Sequence, residues 1–166
     1  MTVDRYELLI VAVPSLPTVN CHLSTVNLIN ETQRAIYPII FPRRGFDDVF
    51  LAPHSRHTEV PIADIHACKD LTVLAESEEA GLFLAMAEGG RKIFVMGHPE
   101  YDRVPLDGEY KRDLAKGLPI EIPKNYYKDD DPNNKPLLTW RAHANNLYTN
   151  WLNYYVYQST PYDLYG

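Results

Sequence analysis

The sequence has few cysteines, with only Cys21 and Cys68 among 166 residues. Two thiols at this separation give neither a disulfide framework nor the CxxC spacing of a structural metal site. The N-terminus also lacks the basic and then apolar pattern of a secretory signal, and it carries Asp4 and Glu7 instead. These absences predict a cytoplasmic protein with no bound metal.

Basic charge and long apolar runs are scarce as well. The formal net charge is -6 and the pI is about 5.4, whereas a nucleic-acid surface requires a basic stripe. No apolar run reaches the roughly 18 residues that span a bilayer. The sequence therefore predicts neither a nucleic-acid partner nor a membrane partner, and it favours small molecules or another protein.

The composition that remains is that of a globular domain. Hydrophobic residues make up 45% of the chain and charged residues 23%, which excludes global disorder. A chain of 166 residues can bury one substantial core and is too short for two domains of ordinary size.

The stretch RKIFVMGHPEYD carries the most readable chemistry. Ile93–Met96 is a short apolar run that predicts a buried strand, and Gly97 and Pro99 turn the chain directly after it. His98 and Glu100 are two residues apart on an extended segment, so their side chains leave the same face. An imidazole beside a carboxylate can act as a base whose tautomer is fixed by its neighbour. The alternative, from these residues alone, is a hydrogen-bonded histidine at a strand end.

Residues 1–40 contain one clear element. Residues 6–13 form an apolar, partly β-branched run that predicts a strand ended by Pro14. Residues 15–42 have weak periodicity and scattered turn formers, and they are predicted to be irregular. Cys21 lies in this segment without a strand just before it.

A polar cluster follows the next apolar run. Residues 49–52 predict a strand that stops at Pro53, and residues 54–59, HSRHTE, are too polar for a core. The carboxyl ends of strands are where α/β folds place ligands. The cluster is therefore a candidate ligand-binding loop, with a solvated loop as the alternative.

The rest of the chain is predicted to contain strands, helices and one long loop. Antiparallel strands are predicted at 71–75, 82–87 and 92–96, a helical turn at 62–70, helices at 106–116 and 140–157, and a loop at 119–139. The three aspartates at 129–131 lack the spacing of a calcium loop and predict a solvated turn. The aromatic stripe of the last helix predicts a core or a dimer interface.

Four blocks of this chain resemble the homoserine O-acyltransferases of methionine biosynthesis, the MetA family of homoserine O-succinyltransferases and O-acetyltransferases. The blocks are RGFDDVFLAPHSRHTEV at 44–60, GHPEYDR at 97–103, EYKRDLAKGL at 109–118 and WRAHANNLYTNWLNYYVYQSTPYDL at 140–164. The resemblance implies an incomplete α/β fold, like the class I glutamine amidotransferases (flavodoxin-like), with a mixed sheet and flanking helices. Residues 41–166 would be the C-terminal part of the acyltransferase domain, and residues 1–40 a divergent N-terminal segment.

The resemblance also implies a reaction. A family cysteine takes an acyl group from succinyl-CoA or acetyl-CoA, and the hydroxyl of L-homoserine then attacks the thioester, with acyl-CoA as co-substrate and no cofactor. By position, His98 would be the general base and Glu100 its orienting partner, while Ser55 and Arg112 would contact the substrate. A cytoplasmic homodimer is expected.

One part of the family pattern is missing from the sequence. The nucleophile lies in a Cys-Trp-Gly-Ala-Gln segment upstream of the block at 44–60, and Cys21 is followed instead by His-Leu-Ser. Two alternatives therefore stay open: a non-catalytic fragment or dimerisation remnant, and a glutamine-amidotransferase-like relative. The acyl donor also stays open, because the region that selects it lies in the unmatched part.

Overall fold

The computed structural model describes residues 7–10, 20–28, 44–56 and 60–159, with the backbone alone for the first two ranges. In these ranges six strands form one sheet, in the spatial order β1-β6-β5-β4-β2-β3. The strands are β1 (Glu7–Ile10), β2 (Asn20–Leu28), β3 (Val49–Arg56), β4 (Thr72–Ser77), β5 (Gly81–Ala87) and β6 (Lys92–Val95).

Three helices longer than one turn accompany the sheet: α1 (Ile62–Ala67), α2 (Pro105–Ala115) and α3 (Arg141–Trp151), and a single α-helical turn lies at Tyr157–Ser159. A π-helical turn, Leu152–Val156, continues α3. All three predicted helical segments are confirmed. Helix α2 begins with proline at its first position, where the missing N–H costs nothing, and Gly117 follows its end with φ +72°. Residues 119–139 are a loop, as predicted, with one 3-10 turn at Lys128–Asp130.

The sheet is mixed. Strands β4, β5 and β6 pair antiparallel in chain order, which confirms the predicted antiparallel portion. Strand β1 pairs parallel to β6, with Leu8 opposite Ile93. Residues 11–13 of the predicted first strand lie outside the described residues.

The prediction of irregular backbone over residues 15–42 is wrong for Asn20–Leu28. These residues form β2, which pairs antiparallel with β3 from Asn20 opposite Arg56 to Asn27 opposite Val49. The segment has little alternation of its own, so the partner strand supplies the hydrogen bonds that make it extended. Cys21 is therefore a strand residue, directly opposite Ser55.

The prediction that the next strand stops at Pro53 is also wrong, since β3 runs on to Arg56. Proline lacks only an N–H, and its carbonyl accepts a 2.8 Å hydrogen bond from the His98 amide. His54 is fully buried and packs edge-on against the ring of Phe83, so the polar cluster is not wholly outside the core. Residues 57–59 of that cluster lie outside the described residues.

The core has two main parts. One lies between the sheet and α3, and its members include Phe50, Phe83, Leu84, Ile93, Val95 and Leu147. The other joins α2 to the long loop, and it comprises Leu106, Tyr110, Tyr126, Tyr127 and Trp140. Leu147 and Tyr155 are both buried, so this side of the aromatic stripe is core.

No described helix has the length and apolar content needed to cross a membrane. Within the same residues, no group of three or more metal-binding side chains occurs.

Candidate active site

His98 is placed by the turn that follows β6. Its amide donates to the Pro53 carbonyl at 2.8 Å, and its own carbonyl accepts from the Tyr101 amide at 3.1 Å. A Cβ at Gly97 would lie 2.9 Å from the Pro53 oxygen and 3.0 Å from the Phe83 ring. The close approach of this turn to β3 therefore requires glycine at 97, and it brings His98 beside β3.

The predicted contact between His98 and Glu100 is present. His98 Nδ1 lies 2.9 Å from Glu100 Oε1, and the two side chains are 19% and 38% exposed. A proton on Nδ1 is then donated to the carboxylate, which leaves the Nε2 lone pair available on the neutral imidazole. The geometry is that of a base with an orienting partner, and the catalytic roles of the two residues stay predictions.

Ser55 approaches the same imidazole through its main chain. Its carbonyl oxygen lies 3.3 Å from His98 Nε2. A carbonyl accepts only from a protonated Nε2. Because Nδ1–H is already donated to Glu100, both contacts are satisfied together only by the imidazolium, which they therefore favour. The predicted contact of the Ser55 hydroxyl with a substrate stays a prediction.

Tyr101 and Glu109 complete the surroundings of the base. The Tyr101 ring stacks on His98 with centroids 4.3 Å apart and planes 14° apart, and its phenol donates to Glu109 Oε1 at 2.8 Å. Sequence reasoning did not single out either residue. A signal existed, because Tyr101 lies within the block GHPEYDR and Glu109 opens the block EYKRDLAKGL.

The net electrostatic effect favours a protonated His98. Burial lowers the pKa of His98, but the hydrogen bond and charge of Glu100, the Ser55 carbonyl and the charge of Glu109 together raise this pKa above 6.5. Burial and the charge of Glu100 raise the pKa of Tyr148, on α3, to about 12. Tyr148 is therefore a neutral phenol near the carboxylate at neutral pH.

Arg112 lies on α2, where the helix was predicted. Its Nε and a terminal nitrogen each donate to the carboxylate of Asp113 at 2.7 Å. The Arg112 side chain is half exposed, and Asp113 is buried. The structure thus brings His98, Glu100 and the Ser55 carbonyl together and shows Arg112 bound by Asp113, while a pocket that unites Arg112 with His98 stays a prediction.

The backbone position of Cys21 bears on the missing nucleophile. Cys21 pairs with Ser55 across β2 and β3. The carbonyls of Pro53 and Ser55 are directed towards His98, and alternate carbonyls of a strand point to the same side. Strand β3 therefore lies between the backbone of Cys21 and His98.

Comparisons with known proteins match this part of the chain closely. The sequence profile of a family described as homoserine O-succinyltransferase matches residues 33–162. A homoserine O-acetyltransferase of Lachnoclostridium phytofermentans is 69% identical over 121 residues, which are 73% of this chain and 40% of that protein. A homoserine O-acetyltransferase of Bacteroides thetaiotaomicron is 60% identical over 131 residues, 79% of this chain and 43% of that protein.

The chain thus spans about two fifths of the length of these curated relatives. The profile match reaches into residues 1–40, and the division at residue 40 stays a prediction. Among solved structures, the crystal structure of SMU.1228c aligns with a TM-score of 0.50 and 14% identity over 82% of this chain and 52% of that chain. At that identity the likeness concerns the fold alone.

Proposed function

Because the chain belongs to the homoserine O-succinyltransferase family, we propose that it carries the base of a site that transfers an acyl group from acyl-CoA to the hydroxyl of L-homoserine, in methionine biosynthesis. The observation that carries the proposal is the 2.9 Å contact of His98 Nδ1 with Glu100. It leaves Nε2 of the neutral imidazole as the atom that takes a proton.

In the proposed first half-reaction, Nε2 of His98 takes the proton of a cysteine thiol. The thiolate attacks the thioester carbonyl, the acyl group moves to the cysteine, and the CoA thiolate leaves with the proton from Nε2. In the second half, Nε2 takes the proton of the homoserine hydroxyl, whose oxygen attacks the acyl-cysteine, and the cysteine leaves as a thiolate that takes this proton back from Nε2. Glu100 and the Ser55 carbonyl stabilise the imidazolium each time.

This scheme needs a cysteine that the described part of the chain does not bring to His98. The backbone of Cys21 is separated from His98 by β3, and the Cys-Trp-Gly-Ala-Gln pattern of the family is not in the sequence. The proposed role of this chain is therefore the half of the site that holds the base and receives the substrate.

Substrate contacts are proposed from residue chemistry. The guanidinium of Arg112 suits the carboxylate of homoserine, since it offers parallel donors in one plane. The Ser55 hydroxyl would contact homoserine or the acyl group. Both acyl donors, succinyl-CoA and acetyl-CoA, are retained in the proposal, because the family description names succinyl transfer and the relatives are named for acetyl transfer. No cofactor is proposed beyond acyl-CoA as co-substrate.

The finer fold and the assembly are proposals too. A parallel β1–β6 pair beside the antiparallel β4–β6 strands supports an incomplete sheet of the glutamine-amidotransferase type, with flavodoxin-like layering. The homodimer and the cytoplasmic location follow from the family and the charge balance, and both are proposed on that ground.

A chimaera tests the function. The matched 121 residues of the Lachnoclostridium phytofermentans relative are replaced by the corresponding residues of this chain, and O-acylhomoserine is measured with acetyl-CoA and with succinyl-CoA. We expect product from at least one donor, and a loss of about 10²–10⁴-fold on His98→Ala. His66→Ala is the matched control, because His66 also pairs with a glutamate at 2.9 Å but does so at the surface.

Two outcomes contradict the proposal. One is a folded chimaera that makes no acylhomoserine, which favours the non-catalytic remnant. The other is activity that His98→Ala leaves unchanged, which removes the imidazole from the reaction.

A further inference from the structure

An aromatic ring and a second carboxylate lie behind the proposed base. The Tyr101 ring is nearly parallel to the His98 imidazole, with 4.3 Å between centroids and 14° between planes. Its phenol reaches Glu109 Oε1, on α2, at 2.8 Å. One face of the imidazole is thus covered by a ring that is attached to another element of the fold.

Tyr101 is held at its main chain as well as at its phenol. The indole N–H of Trp140 donates to the Tyr101 carbonyl at 2.8 Å, and Trp140 is 2% exposed. The Tyr101 amide donates to the His98 carbonyl at 3.1 Å. Bonds at both ends of the residue fix the plane of the ring relative to α2 and the start of α3.

A fixed ring restricts the imidazole that stacks on it. Rotation of the His98 ring about its side-chain bond would break the parallel contact and also carry Nδ1 away from Glu100. The stack and the Nδ1 hydrogen bond therefore favour the same orientation, in which Nε2 faces the Ser55 carbonyl.

We propose that Tyr101 is a positioning residue for His98, and that Glu109 locks Tyr101 in place through its phenol. The inference deepens the proposed function, since it concerns the base of the same site. The inference concerns the orientation and protonation of the His98 imidazole, and both can be measured whether or not the chain transfers acyl groups.

The charged and polar groups that act on His98 come from three parts of the fold, and a fourth contributes a phenol near Glu100. Glu100 lies on the same turn, Glu109 on α2 and the Ser55 carbonyl on β3; the neutral phenol of Tyr148, on α3, lies near Glu100. Among the described residues, Glu109 Oε2 is buried and has no hydrogen-bond partner. Its negative charge therefore acts on the imidazolium without a second donor to weaken it.

The test follows His98 by NMR in the full chain with labelled histidine. Two readouts are used: the titration midpoint of the imidazole and the solvent exchange of its Nδ1 proton. Tyr101→Phe keeps the ring and removes the bond to Glu109, Tyr101→Leu removes the ring, and Glu109→Gln keeps an acceptor for the phenol but removes the charge.

We expect Nδ1 proton exchange to rise about tenfold in Tyr101→Phe, the size expected when an opening equilibrium loses one hydrogen bond. In Tyr101→Leu we expect the Nδ1 proton signal to be lost. In Glu109→Gln we expect slow exchange to persist while the midpoint falls by about half a pH unit, as for the loss of one screened charge.

His66 is the internal control, because it contacts Glu76 at 2.9 Å on the surface and its signal should not change in any variant. The inference is overturned if Tyr101→Phe leaves Nδ1 exchange at the parent rate while His66 is also unchanged. Tyr101→Phe retains nearly the whole side chain, so it decides the question even if Tyr101→Leu does not fold. An inactive chimaera would count against the proposed function and leave this result unaffected.

Discussion

The main-chain amide of His98 donates a 2.8 Å hydrogen bond to the carbonyl of Pro53. This bond joins the turn after β6 to β3, two elements that are far apart in the spatial order of the sheet. A proline in β3 costs little here, because the bond uses its carbonyl and the strand lies at an edge. The position of the proposed base therefore depends on a residue that was expected to end a strand.

The close approach at this bond predicts that Gly97→Ala destabilises the protein. The new Cβ would lie 2.9 Å from the Pro53 oxygen, and overpacking against backbone lowers the free energy of unfolding by about 1–3 kcal/mol. Gly108→Ala is the matched control, since nothing lies within 4 Å of its Cβ and alanine in a helix stabilises by about 0.5–1 kcal/mol. Urea unfolding of both variants is the measurement, and equal effects would contradict the prediction.

The packing of the π-helical turn predicts that alanine substitutions at Gly89 and Gly90 differ in their effect on stability. Gly89 and Gly90 both have positive φ, at 65° and 94°, but only a Cβ at Gly90 would meet the Tyr155 ring, at 1.7 Å. Gly90→Ala should therefore lower the free energy of unfolding by about 1–3 kcal/mol more than Gly89→Ala. Thermal unfolding of the two variants, followed by circular dichroism, measures the difference. Equal midpoints would show that Tyr155 does not rest on Gly90 in solution.

The raised pKa of His98 predicts a pH-dependent contribution to stability. Because this pKa is above 6.5 in the folded chain, the contribution is fully present below pH 6.5 and is lost as the pH rises through the folded pKa. Glu100→Gln removes the hydrogen-bonded charge, so it should cost more stability at pH 6 than at pH 8.

Urea unfolding at pH 6 and pH 8 tests whether Glu100→Gln costs more stability at the lower pH. Glu121→Gln serves as the control, because it removes a carboxylate from an exposed position of the loop. A cost of Glu100→Gln that is the same at both pH values would show that the pair does not favour the imidazolium.

The place of Cys21 predicts that acyl-CoA alone does not acylate this chain. Strand β3 lies between the backbone of Cys21 and His98, so we expect intact mass spectrometry to show no acyl adduct after incubation. Alkylation of the exposed Cys68 by iodoacetamide confirms that thiols remain reduced. A stoichiometric adduct on Cys21 that disappears in Cys21→Ser would instead make Cys21 the nucleophile.

Local signals explain which parts of the fold could be predicted. Turn glycines at 89–90 separate two apolar runs, and proline, acidic and glycine positions mark α2, so β5, β6 and α2 are specified by nearby residues. Strand β2 has no such signal, because its extended form depends on pairing with β3, which is distant in sequence.

The contacts of the candidate site likewise divide into those that sequence spacing predicts and those that depend on the tertiary structure. The contact of His98 with Glu100 follows from spacing two residues apart. Tyr101 comes three residues after His98, so on an extended chain its side chain would leave the opposite face. The turn instead brings the Tyr101 ring back onto the imidazole. Its anchor Glu109 lies on another element, so this contact required the tertiary structure.

Strand β2 pairs with β3 from Asn20 to Asn27, but it pairs with β4 only at Asn27 and Leu28. Strands β2 and β3 therefore form a hydrogen-bonded unit whose strand pairing with the rest of the sheet is confined to one corner, beside the bond from the His98 amide to Pro53. Units with so few bonds to their surroundings can open separately in native-state hydrogen exchange. We expect the amides of this unit to exchange together and faster than those of β5 and β6. On this expectation, the proton acceptor and the Ser55 carbonyl that stabilises its charged form belong to different cooperative units, and a local opening separates them while the strand that carries the base stays folded.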